Sequence, residues 1–461
     1  MNKLPTSRAS RRAFLQRAGQ LSLTGVAAPW ALNLAAMAEA SAQTASDYKA
    51  LVCVFLYGAN DHGNTLPPYD AATHANYVSI RGSLATARAN LAATALTPTV
   101  ALPGGRQMAL APELAPLKTL FDAGRMGVLL NVGTLIQPTT LAQYNARSVP
   151  LPPKLFSHND QQSVWQSSLP EGATSGWGGR VGDLFQSGNG KSTFTCVNVS
   201  GNAVFMSGRD AVQYQVSTTG SVALRGIQSP LYGSQACSDA LRAITTASRS
   251  HLMAAEHTRV MARAIDANTS LSAALATTPA LTTPFDAANP LATQLQMVAR
   301  MIAARSALGA KRQVFFVSLG GFDLHDFLVA QHPGLLTNVG GAIKSFYDAT
   351  VELGVANQVT TFTGSDFGRT LTSNGDGSDH GWGGHQFLVG GAVQGGRFHG
   401  QLPAFSVNGP DDVGQGRLLP TTSVDQLAAT LATWMGVSNT NLPLVVPNIG
   451  NYSVRDLGLL G

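Results

Sequence analysis

The sequence contains only three cysteines, Cys53, Cys196 and Cys237, in 461 residues, and no two of them form a C-x-x-C pair. This scarcity argues against a disulfide framework and against a thiolate metal site. Cys53 lies within an apolar run that is typical of a buried strand. At most one bridge, between Cys196 and Cys237, is therefore conceivable in an oxidising compartment.

Several motifs of well-known enzyme classes are also missing. No G-x-S-x-G sequence is present, which argues against a serine esterase. Residues 187–192 end like a Walker loop, but Phe185 stands where the first glycine is required. Residues 374–379 have the composition of a calcium loop without its spacing or its terminal glutamate.

Charged residues are scarce as well. They make up 12% of the chain, against 44% hydrophobic residues, so the chain can bury a large core. Much of the net charge of +5 lies before residue 43, where five basic residues face one acidic residue. These residues are Lys3, Arg8, Arg11, Arg12, Arg17 and Glu39. The remaining chain is nearly neutral, which provides no electrostatic basis for binding nucleic acid or an anionic membrane surface.

The N-terminal segment has the parts of a twin-arginine signal peptide. Arg11 and Arg12 precede a short apolar region that ends on Ala-Ser-Ala, and this ending predicts cleavage before Gln43. Pro29 and the many small residues make the segment a poor membrane anchor. We therefore expect residues 1–42 to be a signal peptide.

The predicted mature chain, residues 43–461, would be a periplasmic or secreted α/β domain. Its expected partner in export is the twin-arginine machinery, which carries proteins that have already folded. This route would allow a metal ion to be bound in the cytoplasm before export.

Apolar runs alternate with segments of helical periodicity along the mature chain. Buried strands are predicted at residues 50–56, 126–132, 313–319, 359–363 and 387–389. Helices are predicted at residues 114–123, 237–267, 291–307, 335–353 and 423–437. This alternation predicts an α/β fold with a mainly parallel sheet. The helical segments within residues 198–308 are interpreted as an insert that covers the sheet.

Three of the predicted strands are followed by an aspartate. These residues are Asp61, Asp323 and Asp366, and His325 lies two residues after Asp323. Ligands of open α/β sheets bind beyond the carboxyl ends of the strands. The three acids are therefore predicted to meet at one edge of the sheet.

A glycine-rich loop follows the strand that ends at Asp366. It is predicted to carry two acids and two histidines, which are Asp376, Asp379, His380 and His385. Oxygen and imidazole donors converging from a rigid frame favour a divalent cation site. The alternative is a solvated loop whose aspartates stabilise turns.

Ser157 and Asp160 have the spacing of a capping box, so a helix is expected to begin after Ser157. Ser157 would then act only as a cap. A serine at this position is also close to the positive end of the helix dipole, where an oxyanion is stabilised. The nearby groups that could activate it as a nucleophile are His158 and a metal ion.

Five segments together resemble one family of exported proteins, the DUF1501 family, over nearly the whole chain. They are LVCVFLYGANDHGN, SHNDQQSVW, LGGFDLHD, TGSDFGRT and DHGWGGHQFLVGGAVQGGRFHG. That family is similar to the alkaline phosphatase and sulfatase superfamily. The resemblance implies an alkaline-phosphatase-like three-layer α/β fold, with a mainly parallel central sheet between helices. It also implies hydrolysis of phosphate or sulfate esters that depends on Zn, Mn, Mg or Ca.

The resemblance implies a role for each matching residue. Ser157 matches the nucleophile. The metal ligands it implies are Asp61, Asp323, His325, Asp366, and His380 or His385. The candidate substrate-binding residues are Asn60, His158 and Arg369. Arg369 would orient an anionic group by a bidentate contact, or would only pair with a nearby carboxylate.

The sequence departs from the superfamily pattern at two of these positions. Phe367 stands where a histidine usually follows the late aspartate, and His325 lies closer to Asp323 than is usual, so His332 is an alternative ligand. A non-catalytic periplasmic protein with the same fold is therefore the second hypothesis. Such a protein would have a structural role or would bind a protein exported with it.

Overall fold

The computed structural model describes residues 47–461, and the predicted signal peptide lies outside the described residues. The strands are β1 Lys49–Leu56, β2 Met126–Gly133, β3 Cys196–Asn198, β4 Tyr214–Gln215, β5 Arg312–Leu319, β6 Val359–Ser365, β7 Gly384–Gly390, β8 Arg397–His399 and β9 Thr422–Ser423. The α-helices are α1 His62–Thr65, α2 Ala71–Arg81, α3 Ala115–Asp122, α4 Leu141–Ala146, α5 His158–Ser167, α6 Trp177–Phe185, α7 Gln235–Thr246, α8 Leu252–Thr277, α9 Pro290–Ala303, α10 Leu328–Glu352, α11 Val424–Met435 and α12 Leu442–Val445. None of the described helices is both long enough and apolar enough to cross a lipid bilayer.

All nine strands form one sheet. Its order is β4-β3-β5-β1-β6-β7-β2-β8, and β9 pairs with β2. Only β7 runs antiparallel to its neighbours, β6 and β2, and every other strand pair is parallel. The predicted α/β fold with a mainly parallel sheet is confirmed.

The central strand β1 shows why the sheet is covered on both faces. Its alternate residues Val52 and Val54 belong to one buried core, while Cys53 and Phe55 belong to another. Successive side chains of a strand point to opposite faces, so a continuous apolar run requires cover on both sides. The first core includes residues of α3, α9 and α10, and the second includes residues of α5, α6 and α11. The result is a three-layer arrangement.

The five predicted strands are present, with small shifts at their ends. The helix predicted at 423–437 forms as α11, because Ser423 and Gln426 make a capping box and Gly436 ends the helix in the left-handed conformation. Two predictions need correction. The helix predicted at 237–267 is divided into α7 and α8, separated by a segment with two serines, which favour turns over helix interiors.

The second correction concerns His385, which was predicted to lie in the glycine-rich loop. His385 is the second residue of β7, and all seven residues of that strand are buried. Its neighbours Gly384 and Gln386 pair with Val132 and Leu129 of β2. Because β2 supplies this pairing, the strand begins three residues before the apolar run at Phe387.

The segment predicted as an insert, residues 198–308, has two different parts. Helix α9 lies in a helical layer of the main body, with buried residues such as Leu295 and Val298 in the first core. Helix α7 buries only Ser238. That the segment is an insert that covers the sheet remains a prediction.

The three cysteines are unpaired. Cys53 and Cys196 are buried in the sheet, and Cys237 is exposed on α7. The bridge that the sequence allowed between Cys196 and Cys237 is therefore not formed.

Asp425 is a buried acid in the first turn of α11. Ser168 donates a hydrogen bond to its Oδ1 atom, and Oδ2 has no partner among the described residues. Burial raises the pKa of Asp425 from 3.8 to about 6, against the hydrogen bond from Ser168, which lowers it. The folded protein therefore holds this proton more tightly than the unfolded chain does.

Because the pKa of Asp425 is raised in the folded protein, we predict that the free energy of unfolding falls as the pH rises. The difference between the ordinary pKa of 3.8 and the folded pKa of about 6 corresponds to about 3 kcal/mol of stability, which is lost as the pH rises between these two values. We expect the free energy of unfolding of the wild type, relative to Asp425→Asn, to fall by up to about 3 kcal/mol from about pH 4 to about pH 7. Urea denaturation would measure it, with the exposed Asp239→Asn as control. A difference between wild type and Asp425→Asn that does not change with pH would contradict the prediction.

Candidate metal centre

The loops that follow three adjacent strands, β5, β1 and β6, meet at the carboxyl edge of the sheet. Asp366 directly follows β6, and its Oδ2 atom accepts a hydrogen bond of 3.0 Å from the backbone amide of Gly58, just after β1. Arg369 donates a hydrogen bond of 2.7 Å to Oδ1 of Asp323, which follows β5. The predicted meeting of strand ends is therefore present, held by contacts between the loops.

Three histidines face Asp323 at this edge. The Nε2 atom of His380 lies 3.1 Å from Nε2 of His158 and 2.8 Å from Nε2 of His325. The Asp323 carboxylate lies 3.4 Å from Nε2 of His158, 3.2 Å from that of His325 and 3.4 Å from that of His380. We call these four residues the His–Asp cluster. They come from the start of α5, the loop after β5 and the loop between β6 and β7.

The other ring nitrogen of each histidine, Nδ1, lies beside an oxygen atom. The pairs are His158 with Asp366 Oδ2 at 2.5 Å, His325 with Asp379 Oδ1 at 3.1 Å and His380 with the Phe156 carbonyl at 2.7 Å. A carbonyl or carboxylate oxygen accepts and does not donate, so each of these contacts is satisfied by a proton on Nδ1, and in the neutral ring Nε2 is then free to bind a metal ion. Metal-binding histidines are held in the same way, by an oxygen on the nitrogen that does not bind the metal.

The surroundings of Asp323 and His380 favour the protonation states in which these two residues bind a metal ion. Burial raises the pKa of Asp323, but the hydrogen bond from Arg369 and the nearby histidines outweigh it, so the pKa is lowered. Burial and the charges of His158 and Arg369 lower the pKa of His380, against the hydrogen bond to Phe156. An ionised carboxylate and a neutral imidazole are the ligand forms of these two residues.

Asp366 acts on the cluster through His158. Its carboxylate is fully buried, and Oδ2 accepts from His158 Nδ1, from Gly58 and from Gln162. Its Oδ1 atom has no hydrogen-bond partner in the described part of the chain. Burial lowers the pKa of His158, but the hydrogen bond to Asp366 and the negative charges of Asp366 and Asp323 together outweigh it, so the pKa is raised. The structure thus places Asp366 behind His158, where it orients the ring.

Asp61 reaches the same edge but is engaged elsewhere. Its carboxylate forms an ion pair with Arg81 of α2, and both side chains are almost completely buried. It also accepts hydrogen bonds from the amides of Gly63 and Asn64 and thereby caps α1. Arg81 donates further to the carbonyls of Thr370 and Leu371. The structure therefore brings Asp61 together with Arg81 and not with the His–Asp cluster.

Asn60, His332 and His385 lie in the buried interior beside α1. Oδ1 of Asn60 lies 2.9 Å from Nε2 of His332, the alternative ligand, whose pKa burial lowers to about 4. His385 accepts from the amide of Asn131 at 3.1 Å, and burial holds its pKa well below 6.5. The centre of the His385 ring lies 5.3 Å from the centre of the His62 ring. None of these side chains joins the cluster.

Arg369 is completely buried. It donates to the carbonyl of Ser378 at 3.0 Å, to the carbonyl of Gly58 at 3.2 Å and to Asp323. Of the two roles left open by the sequence, the observed one is pairing with a nearby carboxylate. Arg369 fixes the position of Asp323 in the cluster.

Ser157 occupies the N-cap position of α5, which begins at His158 as expected. The predicted capping bond is absent, because the Ser157 hydroxyl donates to Oδ2 of Asp160 at 2.9 Å instead of accepting from the helix backbone. Asp160 is buried, and Lys154 lies 3.5 Å from its other oxygen. Ser157 thus stands next to a cluster histidine in the chain, with its hydroxyl directed to a buried carboxylate.

Sequence reasoning placed His158 among the substrate-binding residues, whereas the structure brings it into the cluster. Asp379 was named only as part of the loop, and it lies beside the Nδ1 atom of His325. The sequence did contain an indication that His158 belongs to the cluster. It directly follows the N-cap residue, and the first turn of this helix presents its side chain to the edge of the sheet.

A mainly parallel sheet between two helical layers, with a His–Asp cluster at its carboxyl edge, defines a three-layer α/β protein. The family model described as "Protein of unknown function (DUF1501)" matches residues 48–445. The chain belongs to this family, as its motifs indicated. No curated protein sequence matches the chain.

Solved structures align with most of the chain at low identity. The structure of Ps i-CgsB in complex with k-i-k-neocarrahexaose covers 88% of this chain and 77% of its own, with 11% identity and a TM-score of 0.33. The lipoteichoic acid synthase LtaP from Listeria monocytogenes covers 87% and 76%, with 6% identity and a TM-score of 0.34. The PsFucS1 sulfatase from Pseudoalteromonas sp. covers 93% and 76%, with 8% identity and a TM-score of 0.34. These alignments cover most of each chain, but their TM-scores and sequence identities are low.

The buried pair of Asp61 and Arg81 generates a prediction about stability. Removing one partner of a buried ion pair leaves the other charge uncompensated and costs about 3–5 kcal/mol. We expect Asp61→Asn to lower the free energy of unfolding by an amount in that range while metal affinity is unchanged. Urea denaturation and metal titration would measure the two effects.

The matched control is Asp122→Asn, which breaks an exposed pair with Lys118 and should cost at most about 1 kcal/mol. Loss of metal binding in Asp61→Asn without loss of stability would instead support the role as a ligand that the family resemblance implied.

Proposed function

We propose that the protein is an exported hydrolase of phosphate or sulfate esters that depends on a divalent metal ion held by the His–Asp cluster. One observation carries the proposal. The Nε2 atoms of His158 and His325 both lie close to Nε2 of His380, all three lie beside the Asp323 carboxylate, and each Nδ1 atom lies beside an oxygen. Ligand atoms of His158, Asp323 and His380 all lie within 4.8 Å of one another. Lone pairs that face each other at such distances repel unless a proton or a cation lies between them.

The residues present fit a metal ion. Imidazole nitrogens together with a carboxylate favour zinc or manganese over magnesium and calcium, which prefer oxygen ligands. The exposed fractions of the side chains are 23% for His158, 25% for His380 and 46% for Asp323. The cluster is therefore open on one side, as a site that admits a substrate must be.

A bound divalent ion would supply Lewis-acid stabilisation of ester oxygens. The residues of the protein would position the ligands and supply the nucleophile. Asp366 orients His158, and Arg369 holds Asp323. Ser157, at the N-terminus of α5, is the candidate nucleophile, because the first-turn amides there stabilise negative charge. Its hydroxyl already donates to Asp160, which is therefore placed to receive the proton. The twin-arginine leader supports the proposed export.

The first prediction from this proposal concerns metal content. Protein purified without a histidine tag or chelator should contain close to one equivalent of zinc or manganese by elemental analysis. We expect the metal to be lost in Asp323→Asn and in His380→Gln, and retained in the matched control His399→Gln, whose residue lies on strand β8 outside the cluster. A folded wild-type protein that contains no metal and takes up none from solution would refute the proposed metal site.

The second prediction concerns Asp366. Loss of the carboxylate that holds a ligand histidine typically weakens metal affinity by about tenfold to one hundredfold. We expect Asp366→Asn to weaken zinc binding by this factor without abolishing it, as measured by competition with a chelator. Complete loss, equal to that of Asp323→Asn, would indicate that Asp366 is itself a ligand, as the resemblance implied.

A second candidate function is that of a non-catalytic periplasmic protein in which the metal stabilises the fold. The observation in its favour is that the Ser157 hydroxyl donates to Asp160 and not to a cluster residue. Assays with p-nitrophenyl phosphate and p-nitrophenyl sulfate separate the two. Turnover that is lost in Asp323→Asn and in Ser157→Ala supports the hydrolase. Stability that falls on chelation, in a protein without turnover, supports the second function.

A further inference from the structure

An esterase for anionic substrates needs a cation that can reach the substrate. Arg369, the residue first considered for this role, is completely buried and donates to Ser378, Gly58 and Asp323. It therefore cannot bind a substrate as well. Lys154 is 69% exposed and lies near two acids, Asp160 and Glu171. A different group must be sought on the rim of the cluster.

Arg417 lies on this rim. Its Nε atom donates a hydrogen bond of 2.8 Å to the backbone carbonyl of His380, a cluster residue. Its guanidinium group is 4.8 Å from the centre of the Phe156 ring. Within residues 47–461, no carboxylate forms an ion pair with it, and its Nη atoms have no hydrogen-bond partner. The side chain is partly exposed.

Phe156 connects Arg417 to the cluster a second time. Its backbone has a φ of +72°, a strained conformation for a residue with a side chain, and its carbonyl lies 2.7 Å from the Nδ1 atom of His380. Phe156 also directly precedes Ser157, the candidate nucleophile. The guanidinium group is thus held over the segment that carries the nucleophile, by a ring on one side and a backbone carbonyl on the other.

We propose that Arg417 binds the anionic group of the substrate, an oxyanion such as phosphate, sulfate or carboxylate, beside the His–Asp cluster. The inference rests on the proposed function and adds the residue that recognises the substrate's charge. A planar guanidinium with both Nη atoms open matches the oxygens of such a group by two parallel hydrogen bonds. Because stacking and the Nε bond already fix its orientation, little conformational entropy is lost on binding.

The test is calorimetric titration of three probes, inorganic phosphate, sulfate and acetate, into the metal-free and the zinc-loaded protein. We expect phosphate or sulfate to bind the zinc-loaded wild type, and Arg417→Gln to weaken that binding by about tenfold to one hundredfold, the usual effect of one charged hydrogen bond. Zinc affinity should stay within about threefold of the wild-type value. Arg259→Gln, which removes an exposed arginine of α8, is the matched control and should change nothing.

Several outcomes would test whether Arg417 binds the anionic group. Equal phosphate and sulfate binding by the wild type and Arg417→Gln would overturn the inference. So would a loss of zinc affinity that accounts for the loss of anion binding, because Arg417 would then act only by positioning His380. Binding of acetate alone, dependent on Arg417, would support the inference and exclude phosphate and sulfate esters. Binding of phosphate that depends on Arg417, in a folded protein that takes up no zinc, would support the inference and refute the proposed metal site.

Discussion

The buried guanidinium group of Arg369 is the interaction on which the site depends. It contacts the loop after β1 through the carbonyl of Gly58, the loop after β5 through Asp323, and its own loop through Ser378. A buried arginine is stable only when its donors are satisfied, so these three loops are held in one arrangement. At Gly58, where φ is +108°, a Cβ atom would lie 2.4 Å from the amide nitrogen of Asp323. The close approach that brings Asp323 to the cluster therefore requires glycine at this position.

The three strand-end acids share a location and differ in what they contact. Asp323 is partly exposed and faces three imidazoles, Asp366 is buried and orients one of them, and Asp61 is buried with an arginine. Arg369 engages one oxygen of Asp323 and leaves the carboxylate beside the imidazoles, whereas Arg81 and two backbone amides engage both oxygens of Asp61. The division therefore follows from the neighbours of each acid, since the residue type is the same in all three.

Sequence reasoning reached the sheet and the edge because both depend on local patterns. The continuous apolar runs of β1 and β5 require burial on both faces, and a parallel sheet brings its strand ends to one edge. The pairing of side chains could not be derived in this way. Nothing near Asp61 in the chain indicates that Arg81, twenty residues later, is its partner, and His158 approaches Asp366 across more than two hundred residues. His385 was misplaced because glycine neighbours suggested a loop, while β2 supplied the pairing of a strand.

The antiparallel strand β7 has a consequence for the order in which the site can assemble. Strands β6 and β7 pair with each other, and the loop between them carries Asp366, Arg369 and His380. Contacts between residues that are close in sequence have a low entropy cost of loop closure, so this hairpin can form early in folding. The other three cluster residues, His158, Asp323 and His325, come from segments farther away in the chain. We therefore expect them to join His380 later, when β1 and β5 have entered the sheet.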